Sequence, residues 1–504
     1  MSAAVPPERG PADAAPPAAV RGNSLRAMLS SAMGLRLSMA VLNYGLFWSL
    51  SHRLPTEALG GYSLLMNIFL LVQVLPLLGL STPLIRRAAT EREQLAAEMS
   101  NALAFGWPVA LVIGLAVVAL SWWSYPPALR LPFLCVALSL LPTTWTLVAE
   151  SSLLGMERMV DIARVQFIEV LLRAVLAYAA VAWGHGLEGV FAVLLGLRLL
   201  AAAMYLRVPG LPRPRQALVS RHILRRSLDE VPVFLGIALL AALSSRLDVI
   251  LLSRLKSLHE VAVYAAASRL YDAALMLPTI AALVMMPTLA RLFSADLPRF
   301  RELLVQALRI SLGGGMLIAL AVAALAQPVI DLLYRPEVSE SAAVLRWLIF
   351  GAVMMTADQV LSSTMVAAKA QTEDMKALAR TLVVLVVGLL LLTWWRGPVG
   401  TAMAVALAQA FRVLLRVRWG ARALALPALW REALRQLAAG VTGALALRAA
   451  LALSLGAWAA LAAGWLAWLL CARLVGILPP GWWRDVSRRL ARWRRGASAS
   501  PEES

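Results

Sequence analysis

Arg246 and Asp248 stand two residues apart inside the run VPVFLGIALLAALSSRLDVILLSR, which is otherwise almost wholly apolar. Arg269 and Asp272 interrupt the next apolar run. Glu169 and Arg173 lie four apart in an earlier one, and Arg36, Arg198 and Asp358 occur singly in others. Ionisable side chains in such runs are costly, so they face the interior of a bundle, pair with one another, or meet a passing ligand. Arginine suits one chemistry above others, because its planar fork binds phosphate oxygens two at a time and stays charged. Arg36, Arg173, Arg198, Arg246 and Arg269 are therefore the candidate path for an anion. Asp248, Asp272, Asp358 and Glu169 are the candidate carriers of a coupling ion, since a buried acid can take up a proton. Plainer roles stand beside these. Glu169 and Arg173 have the spacing of an intrahelical pair, and Arg246 has Asp248, Asp272 or Glu169 as partners. Arg198 can face a neighbouring helix, and Arg36 can snorkel to an interface. Any one acid can simply neutralise an arginine.

The elements that carry these residues are membrane spans. The chain has 504 residues, is 61% hydrophobic and has a mean hydropathy of +0.75, with repeated apolar runs of about 20 residues. Fourteen such runs fall near residues 34–50, 59–80, 102–122, 131–154, 162–183, 188–206, 231–252, 261–290, 308–327, 342–367, 377–395, 399–418, 436–453 and 456–476. Residues 436–476 are nearly continuous around a weak break at Ser454–Gly456, so twelve spans plus a re-entrant pair is the alternative count. At a rise of about 1.5 Å per residue, Arg173 and Arg198 come near the midplane. Arg246 with Asp248, and Arg269 with Asp272, come to comparable depth in the outer half, and Arg36 lies towards the inner side.

The net charge of +19 does not describe a nucleic-acid-binding domain, because the basic residues lie between apolar runs. They cluster on alternate loops, which predicts both termini on the cytoplasmic side, with Trp122–Trp123 and Trp394–Trp395 at the outer interface. Residues 1–24 read as a disordered cytoplasmic tail and 25–206 as a first six-helix bundle. A basic linker follows at 207–230, then a second bundle at 231–420 and an extra helix pair at 421–478. Residues 479–504 read as a basic tail with Trp482, Val486, Leu490 and Trp493 on one helical face, suited to an anionic leaflet. Glu57, Tyr62, Pro83 and Arg86 recur as Glu260, Tyr264, Pro287 and Arg291 one half-chain later. With six spans per half, such repeats would run parallel. The expected fold is thus an all-α integral membrane protein, with two pseudo-symmetric six-helix bundles around a central cavity and two C-terminal helices. Cys135 and Cys471 sit in apolar runs, and the four histidines fall in loops without metal-ligand spacing. No P-loop is present, so neither metal chemistry nor ATP hydrolysis is indicated.

The segment DVILLSRLKSLHEVAVYAAASRLYDAALMLPTIAALVMMPTLARL resembles the hallmark of polysaccharide flippases in the multidrug/oligosaccharidyl-lipid/polysaccharide exporter superfamily. GYSLLMNIFLLVQVLPLLGLSTPLIRRAA resembles that family's second span, and PVIDLLYRPEVSESAAVLRWLIF followed by LSSTMVAAKAQ resembles its ninth-to-tenth-span junction. Together these cover most of residues 25–420. One departure is Ser253–Arg254, where the family usually has glycine. The resemblance implies a transporter, not an enzyme, that moves undecaprenyl-diphosphate-linked oligosaccharide from the cytoplasmic to the periplasmic face for O-antigen, capsule or exopolysaccharide synthesis. It implies the lipid bilayer as surroundings, polysaccharide polymerase or co-polymerase machinery as a candidate partner, and no cofactor. Proton coupling, sodium coupling and a cycle driven by membrane potential alone stay open. A multidrug exporter of the same superfamily would favour an acidic or apolar cavity, against which the arginines count. A peptidoglycan-precursor exporter is the nearer alternative. A membrane glycosyltransferase or polymerase would usually carry a sizeable outer loop with catalytic residues, whereas the outer loops here are short.

Overall fold

The computed structural model describes residues 22–477 apart from Leu78 and Pro427, without the side chains of residues 22–37, 216, 226–235, 237, 238, 276–287 and 290. The sequence expectations for residues 1–21 of the N-terminal tail, for residues 478–504 and for the side chain of Arg36 lie outside the described residues, whereas residues 22–24, read as part of that tail, open the first helix. Among the described residues, fourteen long helices and one short one follow in chain order: α1 Gly22–Arg53, α2 Thr56–Val72, the short α3 Ser81–Thr90, α4 Leu95–Ser124, α5 Arg130–Gly155, α6 Met159–Ala182, α7 Gly186–Leu206 and α8 Arg221–Leu255. Then come α9 Leu258–Ala295, α10 Leu297–Leu333, α11 Ser341–Ala367, α12 Gln371–Gly388, α13 Trp394–Ala423, α14 Ala428–Ala452 and α15 Ala457–Leu474. Eight stretches of the described residues are helical, long and apolar enough to cross a membrane, and one of them, Gln371–Ala423, contains both α12 and α13. The chain is an all-α, multi-pass membrane protein.

The helix ends follow local chemistry. α9 starts with a capping box, in which the Ser257 hydroxyl accepts from the Glu260 N–H while the Glu260 carboxylate accepts from the Ser257 N–H; each satisfies an otherwise orphaned donor. α12 and α13 turn back on each other at Gly397, whose φ of 57° and ψ of −133° favour a residue without Cβ. The weak break at Ser454–Gly456 is a true turn, with φ of 55° at Ser454 and 79° at Gly456, so α14 and α15 are separate helices.

Two segments differ from the sequence reading. The run 59–80 is not one helix: α2 stops at Val72, and turns through Pro76 and Gly79 lead into α3. Proline lacks the N–H that would continue the ladder, and Gly79 sits at φ of 84°, a combination that ends a helix. The stretch 207–230 is a connection only as far as Ser220, with one 3₁₀ turn at Gln216–Leu218, because α8 already starts at Arg221. That shorter connection is strapped to the start of α4. Its Arg215 N–H donates to Ser100 Oγ at 3.0 Å, its Ser220 N–H donates to Asn101 Oδ1 at 2.9 Å, and Asn101 Nδ2 donates to the Leu218 carbonyl at 3.2 Å.

Packing between early and late helices concentrates at the end carrying the α1–α2 and α8–α9 turns. There α2 lies against α9, and Val261 to Ala267 are wholly buried. Small residues allow this approach. A Cβ built on Gly60 would sit 1.8 Å from the Leu258 carbonyl oxygen, so any side chain there must push the two backbones apart. Nearby, Tyr125 after α4 hydrogen-bonds Ser253 of α8 at 3.2 Å, and Arg254 donates to the Ser124 carbonyl at 3.3 Å. The pair α14–α15 docks on α10 through Arg309, which donates twice at 3.0 Å to the Glu432 carboxylate. Trp465 adds a bond from its indole N–H to the Leu317 carbonyl at 3.0 Å.

Gly60→Leu should lower the melting temperature of the detergent-solubilised protein by several degrees, the effect of about 1–3 kcal/mol of overpacking. An unchanged transition would show that α2 and α9 can separate without cost.

Candidate functional site

The SSRLD turn of α8 meets α2 and α9 around a small polar cavity of about 60 Å³. Ser63 and Asn67 come from α2, Ser245, Arg246 and Asp248 from α8, and Tyr264, Ser268, Arg269 and Asp272 from α9. Helical periodicity explains the grouping. Tyr264, Ser268, Tyr271 and Asp272 recur at intervals of three or four, so they share one face of α9. The sequence expectation that Arg246, Asp248, Arg269 and Asp272 share a depth corresponds to one cavity. Its volume is well below the roughly 300–1,000 Å³ of a site that encloses a drug-sized ligand, so in this conformation the cavity has no room for one.

Within the cavity the partners are not those that charge alone suggests. Asp248 accepts from the Tyr264 hydroxyl at 2.6 Å and from the Val249 N–H at 2.8 Å. Arg246 donates to Asn67 Oδ1 at 3.3 Å. Arg269 lies over the Phe47 ring with its guanidinium carbon 5.0 Å from the centroid, a cation–π contact. Asp272 lies within electrostatic range of both Arg269 and Arg246.

A second polar cluster lies among α1, α6 and α7. Arg173 of α6 donates to Asn43 Oδ1 of α1 at 2.5 Å. Glu169 does not take Arg173 as its i,i+4 partner; it pairs with Arg198 of α7 at 3.4 Å. Arg198 also sits over the Phe69 ring, 5.1 Å from its centroid. Glu150, which sequence reasoning missed, accepts from the Tyr205 hydroxyl at 2.9 Å. Arg173 is within electrostatic range of Glu169, Arg198 and Arg269, which links the two clusters. Among the described residues, no carboxylate lies within 4.0 Å of Arg173, Arg246 or Arg269. A guanidinium at the centre of a span costs on the order of 3 kcal/mol, and less towards the interface.

Asp358 belongs elsewhere. It is 3% exposed and accepts from Arg412 at 2.9 Å and Arg416 at 2.5 Å. Arg416 bridges onward to Asp374 at 2.6 Å, so α11, α12 and α13 are joined by one buried ion network. Arg412 and Arg416 carried a sequence signal that went unused. They stand four apart on α13, in the face that also buries Val413, Val417 and Gly420. A further cavity of about 500 Å³ lies between α10, α12, α13 and α14, where Leu312, Met316, Val384, Leu414 and Leu437 contribute an apolar lining.

This arrangement of helices is that of a known transporter fold. The structure is similar to "Lipid II flippase MurJ, inward closed conformation", with a TM-score of 0.67 and 14% identity over 90% of this chain and 99% of that chain. It is also similar to "Inward-facing conformation of a multidrug resistance MATE family transporter of the MOP superfamily", with a TM-score of 0.60 and 15% identity over 78% of this chain and 95% of the other. A MOP superfamily transporter from Pyrococcus furiosus matches at a TM-score of 0.53 and 15% identity, over 79% of this chain and 95% of that one. A MatE family model matches residues 232–395. No curated protein sequence matches. The "Polysaccharide biosynthesis protein" family model matches residues 28–293, more than half of the chain. The chain belongs to that family, within the MOP exporter superfamily of flippases and exporters.

Asp358→Ala would leave Arg412 and Arg416 buried without their shared counter-charge, a loss of about 3–5 kcal/mol. The expected result is a strongly reduced yield of folded protein in detergent. Replacing Asp358, Asp374, Arg412 and Arg416 together with leucine should restore much of that yield.

Proposed function

We propose that this protein is a flippase that carries undecaprenyl-diphosphate-linked oligosaccharide from the cytoplasmic to the periplasmic face of a bacterial inner membrane, for O-antigen, capsule or exopolysaccharide assembly. The observation that carries the reading is the set of intramembrane guanidinium groups without an ion-paired carboxylate, Arg173, Arg246 and Arg269. A diphosphate cannot enter hydrocarbon unaided, and a preorganised cationic path replaces the water and counterions it leaves behind. Arg198 extends that path with its charge partly offset by Glu169, and Arg36 is the candidate at its inner entrance. The apolar groove beside α13 and α14 offers the polyprenyl chain a surface that the polar cavity does not.

In this reading residues 25–206 and 231–420 are two bundles that rock against each other. The arginine-rich loops and both termini face the cytoplasm, and the close contact of α2 with α9 closes the periplasmic side. Asp248, Asp272 and Glu169 are the carriers for a proton or sodium ion if the cycle is coupled. Asp358, already shared by two arginines, serves the architecture. A polymerase or co-polymerase that takes up the flipped unit is the proposed downstream partner. The same charge pattern disfavours export of cationic drugs. Export of a peptidoglycan precursor, also a lipid diphosphate, is the reading that the arginines accommodate equally.

Alanine at Arg173, Arg246 or Arg269 should each reduce surface glycan by about tenfold or more, the effect of losing one charge-assisted phosphate contact, with membrane protein levels unchanged. Normal export by all three variants would sink the cationic-path reading. In reconstituted vesicles, ion coupling predicts that collapsing the proton or the sodium gradient slows translocation. Insensitivity to both would leave a cycle without antiport.

A further inference from the structure

Two arginines of the proposed path are held in the same way, by a neutral asparagine from an early helix. On α1, Asn43 donates its side-chain N–H to the Met39 carbonyl at 2.9 Å, and its Oδ1 accepts from Arg173 at 2.5 Å. On α2, Asn67 donates to the Ser63 carbonyl at 2.8 Å, and its Oδ1 accepts from Arg246 at 3.3 Å. In both, the amide nitrogen is tied to the backbone one turn earlier, at i−4. That bond fixes the amide plane and leaves only the oxygen to face the guanidinium. The two arginines lie on α6 and α8, and the two asparagines are not related by the internal repeat, so the arrangement is used twice independently.

Holding a buried arginine with a carboxylate would be the simpler way to stabilise it. The carboxylates are at hand: Glu169 is one turn before Arg173 and Asp248 is two residues after Arg246, yet they bond to Arg198 and Tyr264. A neutral amide orients the guanidinium without cancelling its charge. It also uses only one of five N–H donors, and the Nε of Arg173 has no hydrogen-bond partner among the described residues. A carboxylate in the amide's place would offset the guanidinium's charge and compete with an incoming anion for it.

We propose that Asn43 and Asn67 are positioning residues whose neutrality keeps Arg173 and Arg246 available to the diphosphate of the lipid-linked substrate. The inference rests on the anionic path described above. Asn43 sets the guanidinium of the α6 arginine. Asn67 does the same for the α8 arginine and also joins helices from the two halves of the chain, so its bond is the one that rocking of the bundles would stretch.

The test compares aspartate with alanine at each position, because the two roles an asparagine can have predict opposite orders. A residue that merely holds the arginine is replaced better by aspartate, which keeps the acceptor oxygen in place. A residue whose neutrality matters is replaced better by alanine. The full-length protein in nanodiscs is titrated with undecaprenyl diphosphate, and binding is followed by intrinsic tryptophan fluorescence at several salt concentrations. Melting temperature is recorded for every variant. Asn43→Asp and Asn67→Asp should each weaken binding about tenfold and flatten its salt dependence, with melting temperatures at or above that of the parent. Asn43→Ala and Asn67→Ala should weaken it less while lowering the melting temperature. Aspartate variants that bind as well as the alanine variants, or better, overturn the proposal. Failure of the parent protein to bind, or equal binding by the Arg173→Ala, Arg246→Ala double variant, overturns the anionic path itself.

Discussion

A guanidinium inside a membrane-spanning bundle must be kept charged, solvated by the protein and free of a permanent counter-ion if it is to meet an anion. Much of the site's architecture answers that constraint. Arg173 and Arg246 are held by asparagine oxygens, Arg269 by the face of Phe47, and Arg198 by the face of Phe69 together with Glu169. Aromatic faces and amides supply negative potential without a full negative charge. The acids nearby are occupied in other ways, Asp248 by the Tyr264 hydroxyl and Glu150 by the Tyr205 hydroxyl. Where the same chemistry is used for architecture the pattern differs. Arg412 and Arg416 are paired outright with Asp358 and Asp374, and Arg309 with Glu432.

This contrast separates two uses of one residue type within a single membrane protein. Fully paired arginines sit where helices must stay together: α11 with α12 and α13, and α14 with α10. Arg246 and Arg269, held by neutral groups, sit where late helices meet α1 and α2, and Arg173 is held by a neutral amide within the first half of the chain. An ion pair in an apolar bundle is hard to part, because separation leaves two buried charges. A hydrogen bond from arginine to a neutral amide costs less to stretch, which would suit the proposed rocking of the two bundles.

Closure at one end has a separate physical basis. α2 and α9 approach through Gly60 against the Leu258 carbonyl, with alanines along the buried face of α9. Small residues bring backbones together without interlocking side chains, which is how helices associate within lipid. The polar cavity lies just inside this contact, so its small volume and the closure are parts of one conformation.

The amino-acid sequence by itself determined the helical class, the fourteen long helices and the family resemblance. Twenty-residue apolar runs and motif spacing are local, one-dimensional signals. It also marked Arg173, Arg198, Arg246 and Arg269 and the acids Glu169, Asp248, Asp272 and Asp358 as candidates, because ionisable groups in apolar runs are conspicuous whatever their partners, while Glu150, Arg412 and Arg416 went unmarked. Local turn chemistry was harder to read: α2 ended eight residues early at a proline–glycine turn, and α8 began ten residues before its apolar run. Partnership was decided only by the tertiary structure. Spacing offered Arg173 to Glu169, and Arg246 to a choice of acids, whereas the fold gave both to asparagines on other helices. Asn43 and Asn67 are polar but uncharged, so nothing in the sequence distinguishes them from other polar residues in spans. Only the packing of α1 against α6 and of α2 against α8 brings their oxygens to the arginines.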